Sequence, residues 1–245
     1  MMSSQEVSLS SVTLKQYFYK LKAYSTLVNR LIILQSIALL ISLAGVSTMS
    51  TGNGELNFSM KYYSANIALG YTFIWIFFVA IYLTTKQYKN MDFSLVGNRV
   101  SSNLSNIGFL LSACVFGGVI ASLFNALLRV VIYFISDRSQ IIMDGFYLAY
   151  PDLLLGIVVA ILYMFLIAVI GYFFGVLTQI NKIFAIIGPA VFLGLTGGNN
   201  EVLKIIFGFF TSEVSLSIFA VKIIIVSIVL FGFSVLLSNR MEVKK

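Results

Sequence analysis

The hydrophobic positions of the chain fall into long, almost uncharged runs separated by short polar segments. A membrane-spanning helix needs about 20 predominantly apolar residues. Six runs have this character, although the fifth is shorter than the others, and they cover residues 31–49, 65–83, 107–128, 153–177, 183–197 and 214–237. We therefore predict an all-α membrane protein with six transmembrane helices, built as a single domain over residues 1–245.

The segment before the first run, residues 12–30, has a helical periodicity of its own. Its apolar and aromatic residues recur at three- and four-residue spacing, whereas three lysines fall away from that stripe. This pattern is typical of an amphipathic helix that lies in the membrane interface, and the alternative is a frayed basic tail. The predicted apolar stripe is Leu14, Tyr17, Phe18, Leu21, Tyr24 and Val28, and the lysines predicted to point away are Lys15, Lys20 and Lys22.

The region after the fifth run is irregular. Gly188-Pro189 interrupts the run, because proline removes a helical hydrogen bond, and a turn sequence follows at residues 197–200. The next apolar stretch, residues 202–210, reaches only about 14 Å at 1.5 Å per residue, which is under half a bilayer. We predict a re-entrant outer hairpin over residues 198–213, between spans five and six.

The distribution of Lys and Arg predicts the orientation, since cytoplasmic segments carry an excess of both. With the N-terminus inside, eleven of the sixteen fall in cytoplasmic segments and four in outer ones, with Lys222 inside the sixth run. Both termini are thus predicted to be cytoplasmic, in a bacterial cell membrane. Attraction to anionic lipid accounts for the net charge of +7 without nucleic-acid binding.

Composition excludes most catalytic chemistry. Hydrophobic residues make up 59% of the chain and charged residues 10%, which is incompatible with a soluble domain. There is no His, a single Cys (Cys114) inside an apolar run, and no phosphate-binding GxxxxGK[ST] sequence. We expect no catalytic site, no cofactor and no metal, and we expect Cys114 to be a buried apolar residue.

Two intramembrane features are candidates for a special role. Lys222 lies about 12 Å into the sixth run; it either snorkels outward or forms a polar site, paired with Glu213 or Glu201. Gly171 and Gly175 form a GxxxG pattern, which permits close helix approach within one chain or between two.

The segment between the second and third runs, residues 84–106, is longer than a simple connection requires. It mixes apolar and charged residues on the predicted cytoplasmic side. Its apolar side chains need a partner surface, either on this protein or on another subunit.

Taken with the topology, this segment resembles those of small bacterial permease subunits of the type-2 ABC-transporter export family. The residues that carry the similarity are Thr84-Thr85, Asp92-Phe93-Ser94 and the sequence that starts at Asn98-Arg99. The resemblance implies a permease with an interfacial elbow helix, a second permease chain of the same or a related sequence, and a separate ATP-binding subunit. It also implies that residues 84–106 contact that ATPase, through Lys89, Met91, Asp92, Phe93, Leu95 and Arg99.

The expected cargo is an amphipathic or hydrophobic molecule such as a peptide, antibiotic or lipid-like compound. Two other classes stay open. A secondary transporter or channel would usually place several ionisable residues near the midplane or show inverted repeats. A non-transporting immunity factor, sensor or scaffold would share the topology without moving cargo.

Overall fold

The computed structural model describes residues 9–44, 47–53, 56–62, 64–85, 88, 99–135, 141–142, 150–196, 201–213 and 215–241. The helices in these ranges are α1 (Leu9–Ala23), α2 (Ser25–Leu43), α3 (Asn66–Thr84), α4 (Arg99–Ile135), α5 (Tyr150–Ile180), α6 (Phe184–Thr196), α7 (Glu201–Thr211) and α8 (Leu216–Met241). The strands are β1 (Ser47–Asn53), β2 (Leu56–Tyr62) and β3 (Ile141–Ile142).

Among these elements, five helices are long and apolar enough to cross a membrane: α2, α3, α4, α5 and α8. The prediction of a helical, multi-pass membrane protein is therefore confirmed. The fifth predicted span corresponds to α6, which has 13 residues and rises only about 20 Å, against a hydrocarbon core of about 30 Å. Pro189 lies inside α6, so this proline does not end the helix.

The first predicted boundary needs correction. The helix expected over residues 12–30 is α1, which ends at Ala23, and α2 begins at Ser25 after a break at Tyr24. The first span therefore starts six residues earlier than expected. Arg30 caused the error, because a charge suggested that the membrane began after it. Arg30 lies on the exposed face of α2, from which a long side chain can reach the interface.

The third span also extends beyond its predicted bounds of 107–128. Helix α4 has 37 residues, and its first eight, residues 99–106, were assigned to the preceding loop. Four of the residues in this first part of α4 are buried, namely Ser101, Ser102, Ser105 and Asn106. Because these residues are polar, hydropathy does not predict a membrane helix there. Ser102, Ser105 and Asn106 accept hydrogen bonds from Lys20 on α1.

The chain divides into two compact units. One unit comprises residues 24–75 and 113–164. Its apolar core joins α2, α3 and α4 through Ala38, Ala68, Phe124, Leu128 and Ile132.

Two buried hydrogen bonds fix α2 to α3 within this unit. The Gln35 amide donates to Thr72 Oγ1 at 2.6 Å, and the Trp75 indole N–H donates to the Leu27 carbonyl at 3.0 Å. Such bonds supplement packing between membrane helices, where the hydrophobic effect offers little.

The same unit contains the sheet. Strands β1 and β2 form an antiparallel hairpin in which Ser47 lies opposite Tyr62 and Asn53 lies opposite Leu56. Strand β3 pairs with β2 in parallel, with Lys61 opposite Ile141. In the sequence prediction, residues 47–49 belong to the first span and the rest of the hairpin is a polar connection between the first two runs. Its Gly52-Asn53-Gly54 sequence is a hairpin signal that hydropathy does not detect.

The second unit comprises residues 1–23, 76–112 and 165–245. Within it, α5 packs tightly on α3 at the predicted GxxxG pattern. A Cβ atom at Gly171 would lie 2.8 Å from the Phe77 carbonyl oxygen, and one at Gly175 would meet Thr84. The pattern thus serves helix approach within this chain. Gly188 brings α6 against the Phe174 ring of α5 in the same way.

We expect Gly171→Ala to destabilise the protein, since the new methyl group would press on a backbone carbonyl that cannot rotate away. Overpacking of this kind costs about 1–3 kcal/mol. Gly156→Ala is the matched control on the same helix, because a Cβ there meets nothing within 4 Å. Thermal unfolding in detergent should show a lower Tm for Gly171→Ala alone. Equal Tm values for the two variants would contradict the close packing of α5 on α3.

Candidate functional site

The second unit contains a lysine with no exposure to solvent. Lys20 on α1 is 0% exposed, and Gln16, one turn earlier on the same face, is 2% exposed. Burying an ammonium without acceptors would be very costly. The surroundings of Lys20 must therefore supply hydrogen-bond acceptors, and these come from the first two turns of α4.

Three acceptors surround the Lys20 ammonium. Its Nζ donates to the Ser105 hydroxyl at 2.7 Å, to Asn106 Oδ1 at 2.5 Å and to the Ser102 carbonyl at 3.3 Å. The Ser105 hydroxyl in turn donates to the Ser102 carbonyl at 2.8 Å. Among the described residues, α4 thus supplies the Lys20 ammonium with a hydroxyl, an amide oxygen and a backbone carbonyl.

The hydrogen bonds continue from α4 to α5. The Asn106 amide donates to the Tyr172 hydroxyl at 3.3 Å, and that hydroxyl donates to Asn103 Oδ1 at 3.1 Å. A second link joins α1 to α4 closer to the C-terminus of α4, where the Tyr17 hydroxyl and the Ser112 hydroxyl lie 2.7 Å apart. We call Lys20, Ser105, Asn106, Tyr172 and Asn103 the lysine relay.

The lysine relay is suited to positioning helices and not to holding a ligand. The ammonium is enclosed and its three donors are directed at protein acceptors, so a bound anion would have to displace an existing hydrogen bond. All the donors from Lys20 to Tyr172 point in one sense, and such chains polarise and strengthen one another. The arrangement therefore joins α1, α4 and α5 through specific, directional contacts.

The prediction that Lys20 points away from the protein with Lys15 and Lys22 is wrong. Lys20 is buried. Within the predicted apolar stripe, Phe18 is 61% and Leu14 54% exposed, whereas Tyr24 is buried and the Tyr17 hydroxyl contacts Ser112 on α4. The stripe is thus divided between exposed and protein-facing residues. The signal that could have located the site is the SSNLSN sequence of residues 101–106, a polar cluster directly before an apolar run.

The predicted contacts of the 84–106 segment lie mostly outside the described residues, namely Lys89, Met91, Asp92, Phe93 and Leu95. Arg99 is the first residue of α4. Their proposed role stays a prediction.

Lys222 lies near the start of α8 and forms an ion pair with Glu213, one of the two predicted partners. Its Nζ also donates to the Phe209 carbonyl at 3.3 Å and lies 4.2 Å from the centroid of the Phe209 ring. That carbonyl belongs to the last turn of α7, where carbonyls lack helical partners and attract positive charge. Lys222 therefore anchors the end of α7 to α8 by an ion pair, a helix cap and a cation–π contact.

The described part of the chain contains no group of three His, Cys, Asp or Glu side chains that could bind a metal ion. Cys114 is buried and free, which confirms its assignment as an interior residue. No family model matches the chain, and neither a curated protein nor a solved structure matches it. The lysine relay and the contacts of Lys222 are thus the polar sites of the described residues that bear on function.

We expect Asn106→Leu to be more destabilising than Lys20→Met. The first variant leaves a buried charge without its closest acceptor, which costs about 3–5 kcal/mol. The second leaves neutral groups without a donor, at about 1–3 kcal/mol. Lys15→Met, on the exposed face of α1, should leave Tm unchanged. Thermal unfolding of the three variants in detergent measures this order, and a larger loss of Tm in Lys20→Met than in Asn106→Leu would contradict it.

Breaking the Lys222 anchor should loosen α7 without unfolding the protein. In Glu213→Gln the ion pair is lost, and in Lys222→Met the cap and the cation–π contact are lost as well. Amide hydrogen exchange in α7 should rise about tenfold in Lys222→Met, corresponding to about 1.4 kcal/mol for a charge-assisted hydrogen bond. Lys204→Met, an exposed lysine on α7 itself, is the control. Unchanged exchange in Lys222→Met would mean that α7 is held by other contacts.

Proposed function

We propose that this chain is the membrane-spanning permease subunit of an ABC exporter, which moves an amphipathic or hydrophobic cargo outward with ATP hydrolysed by a separate subunit. The observation that carries the proposal is the attachment of α1 to the start of α4. Residues 102–106, which accept the Lys20 hydrogen bonds, form the C-terminal end of the 84–106 segment that resembles an ATPase-contacting loop. A force applied to that segment would therefore reach a packed structure at once.

The helix order supports the same architecture. An amphipathic α1 precedes the first long helix and is separated from it by the break at Tyr24. Two short helices, α6 and α7, stand between the long helices α5 and α8. In the proposed topology α6 is a short fifth crossing and α7 forms the outer re-entrant hairpin.

The charges at the C-terminus favour six crossings over five. With the N-terminus inside, five crossings would place Arg240, Lys244 and Lys245 outside, against the usual preference of Lys and Arg for the cytoplasm. A sixth crossing returns them to the cytoplasm. Helix α6 is short for this task, and local thinning of the bilayer or packing against α5 would accommodate the mismatch.

The surroundings of Lys222 weigh against an ion-coupled transporter. This ammonium already has a carboxylate, a carbonyl and an aromatic face as partners. A coupling site has to release its ion or proton during each cycle, and a lysine occupied in this way is better suited to hold α7 in place. The partners of the proposed permease are an ATP-binding subunit, a second permease chain and the lipid of a bacterial cell membrane.

We expect an ATPase subunit to co-purify with the tagged chain in mild detergent and to be lost from the Phe93→Ala, Arg99→Glu variant. The substitutions remove an apolar contact and reverse a charge at the proposed interface. The matched control is Phe134→Ala with Lys204→Glu, which makes the same type of change at exposed positions on the proposed outer side. Recovery of no ATPase by the unmodified chain, even after crosslinking, would contradict the proposal.

A further inference from the structure

The polar residues of the lysine relay do more than satisfy a buried charge. Without Lys20, the described polar contact between α1 and α4 would be the bond between the Tyr17 and Ser112 hydroxyls. Lys20 enters the protein and is fully enclosed. Its acceptors lie within five residues of one another on α4, so that α1 is fixed at one defined height along α4.

The lysine relay also connects α4 to α5, through Asn106 and Tyr172. Asn106 is the branch point, since its oxygen accepts from Lys20 on α1 and its amide nitrogen donates to Tyr172 on α5. An Asn side chain that uses both ends in this way cannot rotate without losing both bonds. Displacement of the first turns of α4 therefore acts on α1 and α5 at the same time.

Packing around the relay connects α5 to two further helices, α3 and α8. Tyr172 lies directly after Gly171, whose contact with the Phe77 carbonyl brings α5 against α3, and its ring lies 5.5 Å from that of Phe231 on α8. The Tyr172 side chain is 2% exposed. A shift received by its hydroxyl thus reaches α3 and α8 by direct contact.

We infer that Lys20, Asn106 and Tyr172 are positioning residues that make α1, the start of α4 and the adjoining part of α5 move as one body when residues 84–106 are displaced. The rigid connection of the three helices stands on the geometry alone. Its use in transmitting an ATP-driven movement rests on the proposed function.

The first stage of the test uses the isolated chain in nanodiscs and measures the rigid connection. In a Cys114→Ala background, spin labels at Ala23→Cys and Ile170→Cys, both exposed, report the distance between α1 and α5. We expect one narrow distance distribution for the parent and for Lys15→Met, and at least a twofold broader distribution for Lys20→Met. Tyr172→Phe removes only a hydroxyl and should broaden it as well.

A double variant separates the directional bonds from simple packing. In Lys20→Met, Asn106→Leu both polar partners become apolar, so the double variant should regain most of the Tm that Asn106→Leu loses. Its distance distribution should stay broad, because the connection to Tyr172 is still absent. A double variant that regained the narrow distribution, or a Tyr172→Phe variant as narrow as the parent, would overturn the inference.

The second stage uses the complex with the ATPase subunit and labels at Ala23→Cys and Ile228→Cys, which lies exposed on α8. Trapping with ATP and vanadate should shift this distance in the parent and in Lys15→Met, and the shift should fall by more than half in Lys20→Met and in the double variant. A structural role alone would not make the shift depend on Lys20. No shift in the parent, or an equal shift in all variants, would overturn the transmission of movement. Failure to obtain any complex would overturn the proposed function, while the first stage still decides the rigid connection.

Discussion

The burial of the Lys20 ammonium is the constraint on which the cytoplasm-proximal part of the proposed permease depends. A charge removed from water has to be surrounded by acceptors of correct geometry, and the polar first turns of α4 provide three of them. This single requirement explains why α4 begins at Arg99, well before its apolar residues. It also turns the face of α1 that carries Gln16 and Lys20 toward the protein, while Leu14 and Phe18 are exposed.

Helix packing elsewhere in the unit that contains Lys20 has a different physical basis. Apolar side chains gain little by leaving lipid for one another, so close backbone approach and specific polar contacts determine which helices associate. Gly171 and Gly175 supply the close approach of α5 to α3. Lys222, with Glu213 and Phe209, supplies the polar contact that holds α7 to α8. Two glycines and a lysine are therefore the residues that make this packing specific.

The sequence predicts the elements that hydropathy reveals. It does not predict the elements that depend on hydrogen bonds to a distant part of the chain. The long helices and the burial of Cys114 follow from apolar length and size, and charge narrows the partner of Lys222 to Glu213 or Glu201 without choosing between them or excluding a snorkelling lysine. The extension of α4 over residues 99–106 was not predicted, since Ser, Asn and Arg look like a loop until Lys20 is placed beside them. The β1–β2 hairpin was missed for a related reason, because backbone pairing does not change hydropathy. The burial of Lys20 was missed because an amphipathic pattern groups it with Lys15 and Lys22 and does not show which lysine has acceptors on a neighbouring helix.

The choice of lysine at position 20 is informative about how the relay works. A leucine or methionine in the same place would bury more apolar surface and would also pack against α4, in many orientations of similar energy. The ammonium accepts far fewer arrangements, because its N–H donors have to meet several acceptors at once. Fixing one register at some cost in stability is a known use of buried polar groups in helical assemblies. If α1 only anchored the chain to the membrane, its register against α4 would not matter. A helix whose height on α4 is fixed this closely is suited to carry a displacement, which is what a permease driven from its cytoplasmic side requires.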